Sequence, residues 1–432
     1  MLRNRELLSV AILSLAFYLA LYFVFSPAFS LDEAFYTNSA RDVIVGKGYT
    51  GWIIPPLFTH IVAGFYFLFG QYEYVARTIA AIFGLLSVIT VYFLGKRFLK
   101  ERYAALAALL LTVLPAFTLL SQRVMTETSY VFFWTASLLF FVKGIDENKN
   151  WLLLSAALFA LGFMIKFSMV LLLPIMLFYL FLEKKVKTIL TSNFLYAGVV
   201  LGLLMLIPMF LYSQSLFGNY TELFIKSFQA YSSATSPEGI LFYPTNFFFV
   251  AAATLPLLIY GSWEAFKTKD RKFLFVVGSM AFLLVYRTLV LEVRETRYLI
   301  DIVPFVVLLS ASAFSKLYEK FGKKALVLLS ILVLANVIAG IYLVNSFANN
   351  EKYVGMKEAS LWAKDNCSPP VVANIVGPAA YYTGFEIFHM NNETLKKNVS
   401  CFIYSKYEVV FPELEARKAD FIHGAVSVYK NR

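Results

Sequence analysis

An acidic pair, Asp32-Glu33, follows directly on the first apolar run of the chain. Adjacent carboxylates are expensive to desolvate, and at a membrane surface they mark sites of proton transfer. A structural role competes: Ser30-Leu31-Asp32-Glu33 fits a capping box, with Ser30 as the cap and Glu33 reaching back to it. The two roles are compatible, because a helix start displays its side chains outward. Arg287, Arg294 and Arg297 crowd one short segment in which Glu292, Glu295 and Asp301 offer ion-pair partners. Against simple pairing stands anion binding, since arginines at the start of a helix form a ready phosphate site. Arg77 opens one long apolar run, Glu127 another, and Lys166 interrupts a third. Each has a plainer role as well, a snorkelling cation or an acid favoured by a helix dipole. Together, a carboxylate and several fixed cations suit group transfer from a phosphate leaving group. The acid takes a proton from a hydroxyl or amine, and the cations stabilise the departing phosphate.

The elements that must position these residues are apolar helices. Of 432 residues, 59% are apolar and 15% charged, against roughly 45–50% and about 25% in soluble domains. The mean hydropathy is +0.69, and 44 Phe and 27 Tyr are too many to place in water. This excludes a soluble globular, disordered or fibrous chain. The net charge of +11 does not point to nucleic acid, because Lys and Arg lie in short runs between apolar stretches, as membrane topology requires. A spanning helix needs about 20 apolar residues. Windows near 7–25, 74–95, 103–120, 128–142, 151–165, 167–182, 193–213, 244–263, 272–288, 299–315 and 325–345 qualify. The expected fold class is an all-α polytopic membrane protein with about eleven transmembrane helices.

Topology follows from the basic loops. With an uncleaved first helix and the N-terminus in the cytoplasm, the inner loops hold Lys96 to Arg102, Lys143 and Lys149, Lys184 to Lys187, Lys267 to Lys272 and Lys316 to Lys324. Every one is basic, as the positive-inside rule demands. The outer segments then carry the acidic pair, the arginine cluster, both cysteines and the sequons at Asn219, Asn366, Asn392 and Asn398. The run 57–69 is too short to span and reads as interfacial. Residues 348–432 turn polar, with a helical pattern at 354–365 and β-like runs at 370–376, 399–404, 407–411 and 425–429. They read as a small α/β extracytoplasmic domain following a transmembrane domain of residues 1–347, and a Cys367–Cys401 disulfide is a hypothesis for it. Neither cysteine belongs to a CxxC pair and the three histidines are scattered, so no metal site is expected.

The runs LDEAFYTNSARDVIVGKG, PPLFTHIVAGFYFLFG and YVARTIAAIFGLLSVITVYFLGKRF, the loop Gln122 to Ser129, GFMIKF around Lys166 and RYLIDIVP at 297–304 carry a resemblance. They are similar to the protein O-mannosyltransferase and aminoarabinose (lipid A) transferase superfamily, GT-C glycosyltransferases that use polyprenyl- or dolichyl-phosphate sugars. The resemblance spans roughly residues 1–315. It implies Asp32 as catalytic acid/base with Glu33 beside it, Arg77 and Arg297-Tyr298 at the donor, and Glu127 where many relatives have Asp. No DxD triplet occurs, which departs from the metal-using oligosaccharyltransferase branch. No cofactor is expected to be required, and a divalent cation is not indicated.

The resulting expectation is a multi-pass glycosyltransferase of the cell membrane, hexosyl or pentosyl. It moves a sugar from a dolichyl- or undecaprenyl-phosphate donor to a lipid, glycan or protein acceptor at the extracytoplasmic face, by inverting single displacement. Asp32, Glu33 and Glu127 are the catalytic candidates, and Arg77, Lys166, Arg294, Arg297 and Tyr298 the donor-binding ones. The partners are donor, acceptor and membrane lipids, not nucleic acid. The rival is a lipid-linked glycan flippase, which the one-sided clustering of charge and the lack of an internal repeat disfavour.

Overall fold

The computed structural model describes residues 5–25, 27–49, 53–232, 239–291, 293–391, 393–396, 399–408 and 411–431. The chain begins with α1 (Arg5–Val24), a 20-residue apolar helix, and turns into α2 (Leu31–Ile44). Glu33 Oε2 accepts from both the backbone N–H (3.1 Å) and the hydroxyl (2.9 Å) of Ser30, so the expected reach-back of a capping box is present. Gly46, at φ +78°, lies just beyond the end of α2, the left-handed stop that glycine takes most readily. Then come α3 (Leu57–Phe69), α4 (Glu73–Phe98), α5 (Glu101–Val113), α6 (Pro115–Leu120) and α7 (Thr126–Asp146). The window 103–120 splits into two helices because Pro115 drives Leu114 into extended backbone and starts a new helix at its first position.

Next are α8 (Trp151–Phe163), a 3-10 turn Phe167–Leu171 leading into α9 (Leu172–Leu182), the short α10 (Val186–Leu190), α11 (Asn193–Phe217) and α12 (Glu222–Ser232). Then α13 (Phe242–Ala251) and α14 (Leu255–Thr268) form one broken span, followed by α15 (Arg271–Val290). A buried 3-10 turn Thr296–Ile302 leads into α16 (Val303–Phe321), and α17 (Lys323–Ala348) follows. Among the described residues eight helices are long and apolar enough to cross a membrane. The other three windows are the pair α5–α6 and the shorter α8 and α9. The spans of α4, α7 and α16 form the interior, and those of α1, α11 and α17 face outward over most of their length. Packing in the interior is tight: a Cβ on Gly261 of α14 would lie 2.6 Å from the carbonyl oxygen of Leu309 in α16. At the basic end, separate loops are tied together. Arg97 and Lys185 both pair with Asp146, and Lys272 donates to the carbonyl of Arg97.

The C-terminal part comprises α18 (Met356–Asn366), β1 (Val371–Ala373), α19 (Val376–Thr383), β2 (Ile387–His389), β3 (Cys401–Ser405), α20 (Pro412–Glu415), β4 (Phe421–His423) and β5 (Val426–Lys430). Its sheet runs β2-β1-β3-β5-β4, with β1 parallel to β2 and β3, and β5 antiparallel to β3 and β4. A disulfide joins Cys367, after α18, to Cys401 at the head of β3. The helix and three of the four β-like runs match α18, β1, β3 and β5. In the remaining run, 407–411, residues 407 and 408 belong to a turn, residue 411 is not in a strand, and residues 409 and 410 lie outside the described set. The short β2 and β4, three residues each, carry too little pattern to read.

The sheet's helices dock on α2. Asn38 donates to Gly377 O (2.9 Å), Arg41 donates to Tyr381 O (2.6 Å) and lies over the Tyr381 ring, and a Cβ on Gly377 would approach Ala34 Cβ to 3.3 Å. The helix that carries Asp32 is therefore held from both sides.

Candidate active site

Asp32 and Glu33 are about 100° apart around α2, and the structure separates them fully. Glu33 is completely buried. Its Oε1 accepts from Arg77 Nη1 (2.9 Å) and Val124 N (3.0 Å), and its Oε2 from Ser30. Arg77 also donates to Glu73 (3.1 Å), Gln122 O (2.8 Å) and Pro27 O (2.8 Å). Glu73 in turn accepts from Lys357 (2.9 Å) and Tyr382 (3.2 Å) of the C-terminal part. This knot joins the α1–α2 link, α4, the α6–α7 link and the C-terminal helices, and Glu33, Glu73 and Arg77 line neither of the two cavities onto which Asp32 opens. Of the expected site residues, Glu33 and Arg77 thus lie in this knot, with their strong contacts filled by protein.

Asp32 faces the other way. Its side chain is 49% exposed and lines a cavity of about 250 Å³ with Glu127, Lys166, Arg287, Arg297 and Tyr298. Arg297 Nη1 donates to Asp32 Oδ2 at 2.6 Å, and the same guanidinium makes two contacts to Glu295, at 3.0 and 2.5 Å. Lys166 Nζ donates to Glu127 Oε1 at 3.2 Å and sits 5.0 Å above the Tyr298 ring. Arg287 Nη2 donates to Asp301 Oδ2 at 2.5 Å, and Tyr130 OH donates to the same oxygen at 3.3 Å. Glu127 Oε2, Arg287 Nε and Asp301 Oδ1 are buried without a hydrogen-bond partner among the described residues.

Helix breaks place these groups. Lys166 stands in extended backbone (φ −154°) between α8 and the turn into α9. Arg297 lies in the 3-10 turn that Pro304 and α16 follow. The rest of the lining is largely apolar, with Phe167, Val170 and Leu171, Phe224 and Phe228 of α12, and Val290 and Leu291. On its other side Asp32 opens onto a second cleft lined by Leu31, Phe35, Tyr36, Asn38, Ser39, Ile54 and Gly377, with no cation. Among the described residues no three His, Cys, Asp or Glu side chains gather as a metal site needs.

Of the sequence candidates, the cavity thus unites Asp32, Glu127, Lys166, Arg297 and Tyr298. Arg294 is absent from it: its guanidinium is exposed and bonds the Gly239 carbonyl. The ion pairing expected in the arginine cluster is found for Arg287 and Arg297; Glu292 lies outside the described residues. Sequence reasoning did not assign Arg287 to the site. Its signal was a cation near the end of an apolar 20-residue helix, with an acid fourteen residues on.

Comparison with known proteins bears on the fold that holds these residues. Residues 54–212 match the family model of dolichyl-phosphate-mannose-protein mannosyltransferase. An uncharacterised protein of Aquifex aeolicus (strain VF5) is 26% identical over 361 residues, 79% of this chain and 70% of that one. The crystal structure of ArnT from Cupriavidus metallidurans bound to undecaprenyl phosphate is similar with a TM-score of 0.77, at 14% identity, over 96% of this chain and 97% of that one. The Archaeoglobus fulgidus oligosaccharyltransferase is similar with a TM-score of 0.66, at 12% identity, over 93% and 70%.

Proposed function

The chain has the GT-C fold of membrane glycosyltransferases, and on that premise we propose that it transfers a sugar from a polyprenyl-phosphate donor to an acceptor hydroxyl or amine. The observation that carries this reading is the half-exposed Asp32, bonded to Arg297, in one cavity with Lys166 and Arg287 whose remaining lining is largely apolar. The cations take the phosphate and the apolar lining the polyprenyl chain; the ArnT structure that this fold resembles is bound to undecaprenyl phosphate. The leaving group is already a phosphate, so no acid need protonate it. Asp32 removes the acceptor proton as the acceptor oxygen or nitrogen attacks the anomeric carbon. The carbon–oxygen bond to the phosphate breaks in the same step, and configuration inverts. The fixed cations hold the charge that develops on the phosphate. Glu127 positions Lys166, and Tyr298 flanks it.

The acceptor, a lipid, glycan or protein, approaches Asp32 through the cation-free cleft beside α19. We divide the chain into a catalytic membrane domain, 1–347, and a C-terminal domain, 348–432, and place the latter with the site outside the cytoplasm of a multi-pass membrane protein. The disulfide, which persists in oxidising compartments, and the gathering of basic loops at the opposite end support that orientation. The test is turnover of labelled polyprenyl-phosphate sugars by the purified protein. Asp32→Asn should abolish transfer in a protein that still folds and still binds donor. Full activity in that variant refutes the assignment.

A further inference from the structure

Every cation on the cavity wall already has an acid partner. Lys166, Arg287 and Arg297 face Glu127, Asp301, Glu295 and Asp32, so acids outnumber bases by one. A phosphate cannot settle on this wall without taking a cation from a carboxylate. Burial decides which pair gives way. Asp301 and Glu127 are almost wholly buried, and stripping either of its partner leaves an uncompensated charge away from water, a loss of several kcal/mol. Asp32 and Glu295 are the half-exposed acids, and water can replace their partner. Of these two, Glu295 grips Arg297 through two contacts on its Nη2 and Nε side, whereas Asp32 holds Nη1 by one. Asp32, not Glu295, lines the cavity.

We infer that donor phosphate and Asp32 compete for Arg297 Nη1, so that arrival of the phosphate is what releases the catalytic carboxylate. While Arg297 holds it, Asp32 Oδ2 is a hydrogen-bond acceptor already in use. When a phosphate oxygen takes over Nη1, Asp32 is free to turn toward the cleft on its other side, where an acceptor proton can be taken. Arg297 is then both a phosphate ligand and the positioning residue that makes base activation wait for donor. The order of events follows: donor first, acceptor deprotonation second.

This inference rests on the donor-phosphate reading and is separable from it by binding of undecaprenyl phosphate to the purified full-length chain in detergent. If the two groups compete, removing the Asp32 charge makes the lipid bind more tightly: Asp32→Asn should gain about three- to tenfold in affinity, the span expected of one partly exposed ion pair. Arg297→Gln should bind more weakly than wild type. In the double variant Asp32→Asn/Arg297→Gln the gain should vanish relative to Arg297→Gln alone, which a general structural effect of Asp32→Asn would not produce. Thermal midpoints check folding, and Asp32→Ser carries the same sign if Asp32→Asn folds poorly. A wild-type protein that binds the lipid while both Asp32 variants bind it equally or less tightly overturns the competition and leaves the donor reading standing. A wild-type protein that does not bind it defeats the donor reading and this inference with it.

Discussion

Asp32 and Glu33 are chain neighbours of the same charge on the same turn of α2, yet they belong to different parts of the molecule. Glu33 is fully buried, and both its oxygens are filled by Arg77, Val124 and Ser30. Asp32 is half exposed, and Arg297 is its one ion-pair partner among the described residues. The difference teaches that a helix of 3.6 residues per turn sets adjacent acids about 100° apart, enough to turn one into the packed fold and the other toward the cavity. Their cations divide the same way. Arg77 is spent on Glu33, Glu73 and two carbonyls, whereas Arg297 and Lys166 stand at the cavity.

Crossed substitutions test this division most severely. Asp32→Asn should lower the transfer rate by about 10²–10⁴-fold, the usual worth of a positioned acid or base, with the thermal midpoint in detergent unchanged. Glu33→Gln should behave in the opposite way. Weakening a buried ion pair from one side costs about 3–5 kcal/mol, so a marked fall in thermal midpoint should precede any specific kinetic defect. If the two variants lose activity alike with equal stability, the two-face division is wrong.

The cations give a second crossing of smaller size. Arg77→Met leaves Glu33 buried without its main partner and should destabilise the protein. Arg297→Gln removes one charged hydrogen bond to phosphate, worth about 1.5–3 kcal/mol, and should raise the donor KM by roughly one to two orders of magnitude at near-normal stability. A stable Arg77→Met protein with raised donor KM would return Arg77 to the donor site.

Acid titration sharpens the contrast further. Burial pushes the Glu33 carboxyl up, but the Arg77 and Arg123 guanidiniums and the N–H groups of Ser30 and Val124 outweigh it and hold the group below its ordinary 4.5. A carboxyl lowered by folding stabilises fully above its unfolded value, and that stabilisation is lost as pH falls through the folded one. The gap in thermal midpoint between wild type and Glu33→Gln should therefore be constant above about pH 5 and close as the medium is acidified below 4.5. A gap that widens on acidification contradicts the Arg77–Glu33 pairing.

How much of this was legible beforehand follows from what each signal measures. Apolar length located the spans, because desolvation of the backbone demands it, but did not show the break at Pro115 that divides the window 103–120. The capping box was readable from four residues. Which acid faces the cavity was not, because α2 packs against the C-terminal helices through Gly377 and Tyr381, contacts more than 300 residues away in sequence. The bond from Arg77 to Glu33 is hidden for the same reason. The sequence offers Arg287 with the other arginines for ion pairing or anion binding but does not select it for the donor set, since its approach to the cavity depends on the turn Thr296–Ile302 folding against α15.

Arg294 tests the lower limit of the comparison. Sequence put it with Arg297, three residues on, as a phosphate ligand, but its guanidinium is exposed and bonds the carbonyl of Gly239 in the preceding loop. A solvated cation outside the cavity is screened by salt within about 8–10 Å, and its loss exposes no buried partner. Arg294→Ala should leave stability within about 0.5 kcal/mol and donor KM within roughly a factor of two, on the same reasoning about surface positions. The measurement is the donor KM at low and at high salt. A tenfold rise at low salt that disappears at high salt would make Arg294 a long-range attractor of the donor, and would extend the functional face from the cavity wall to the loop above it.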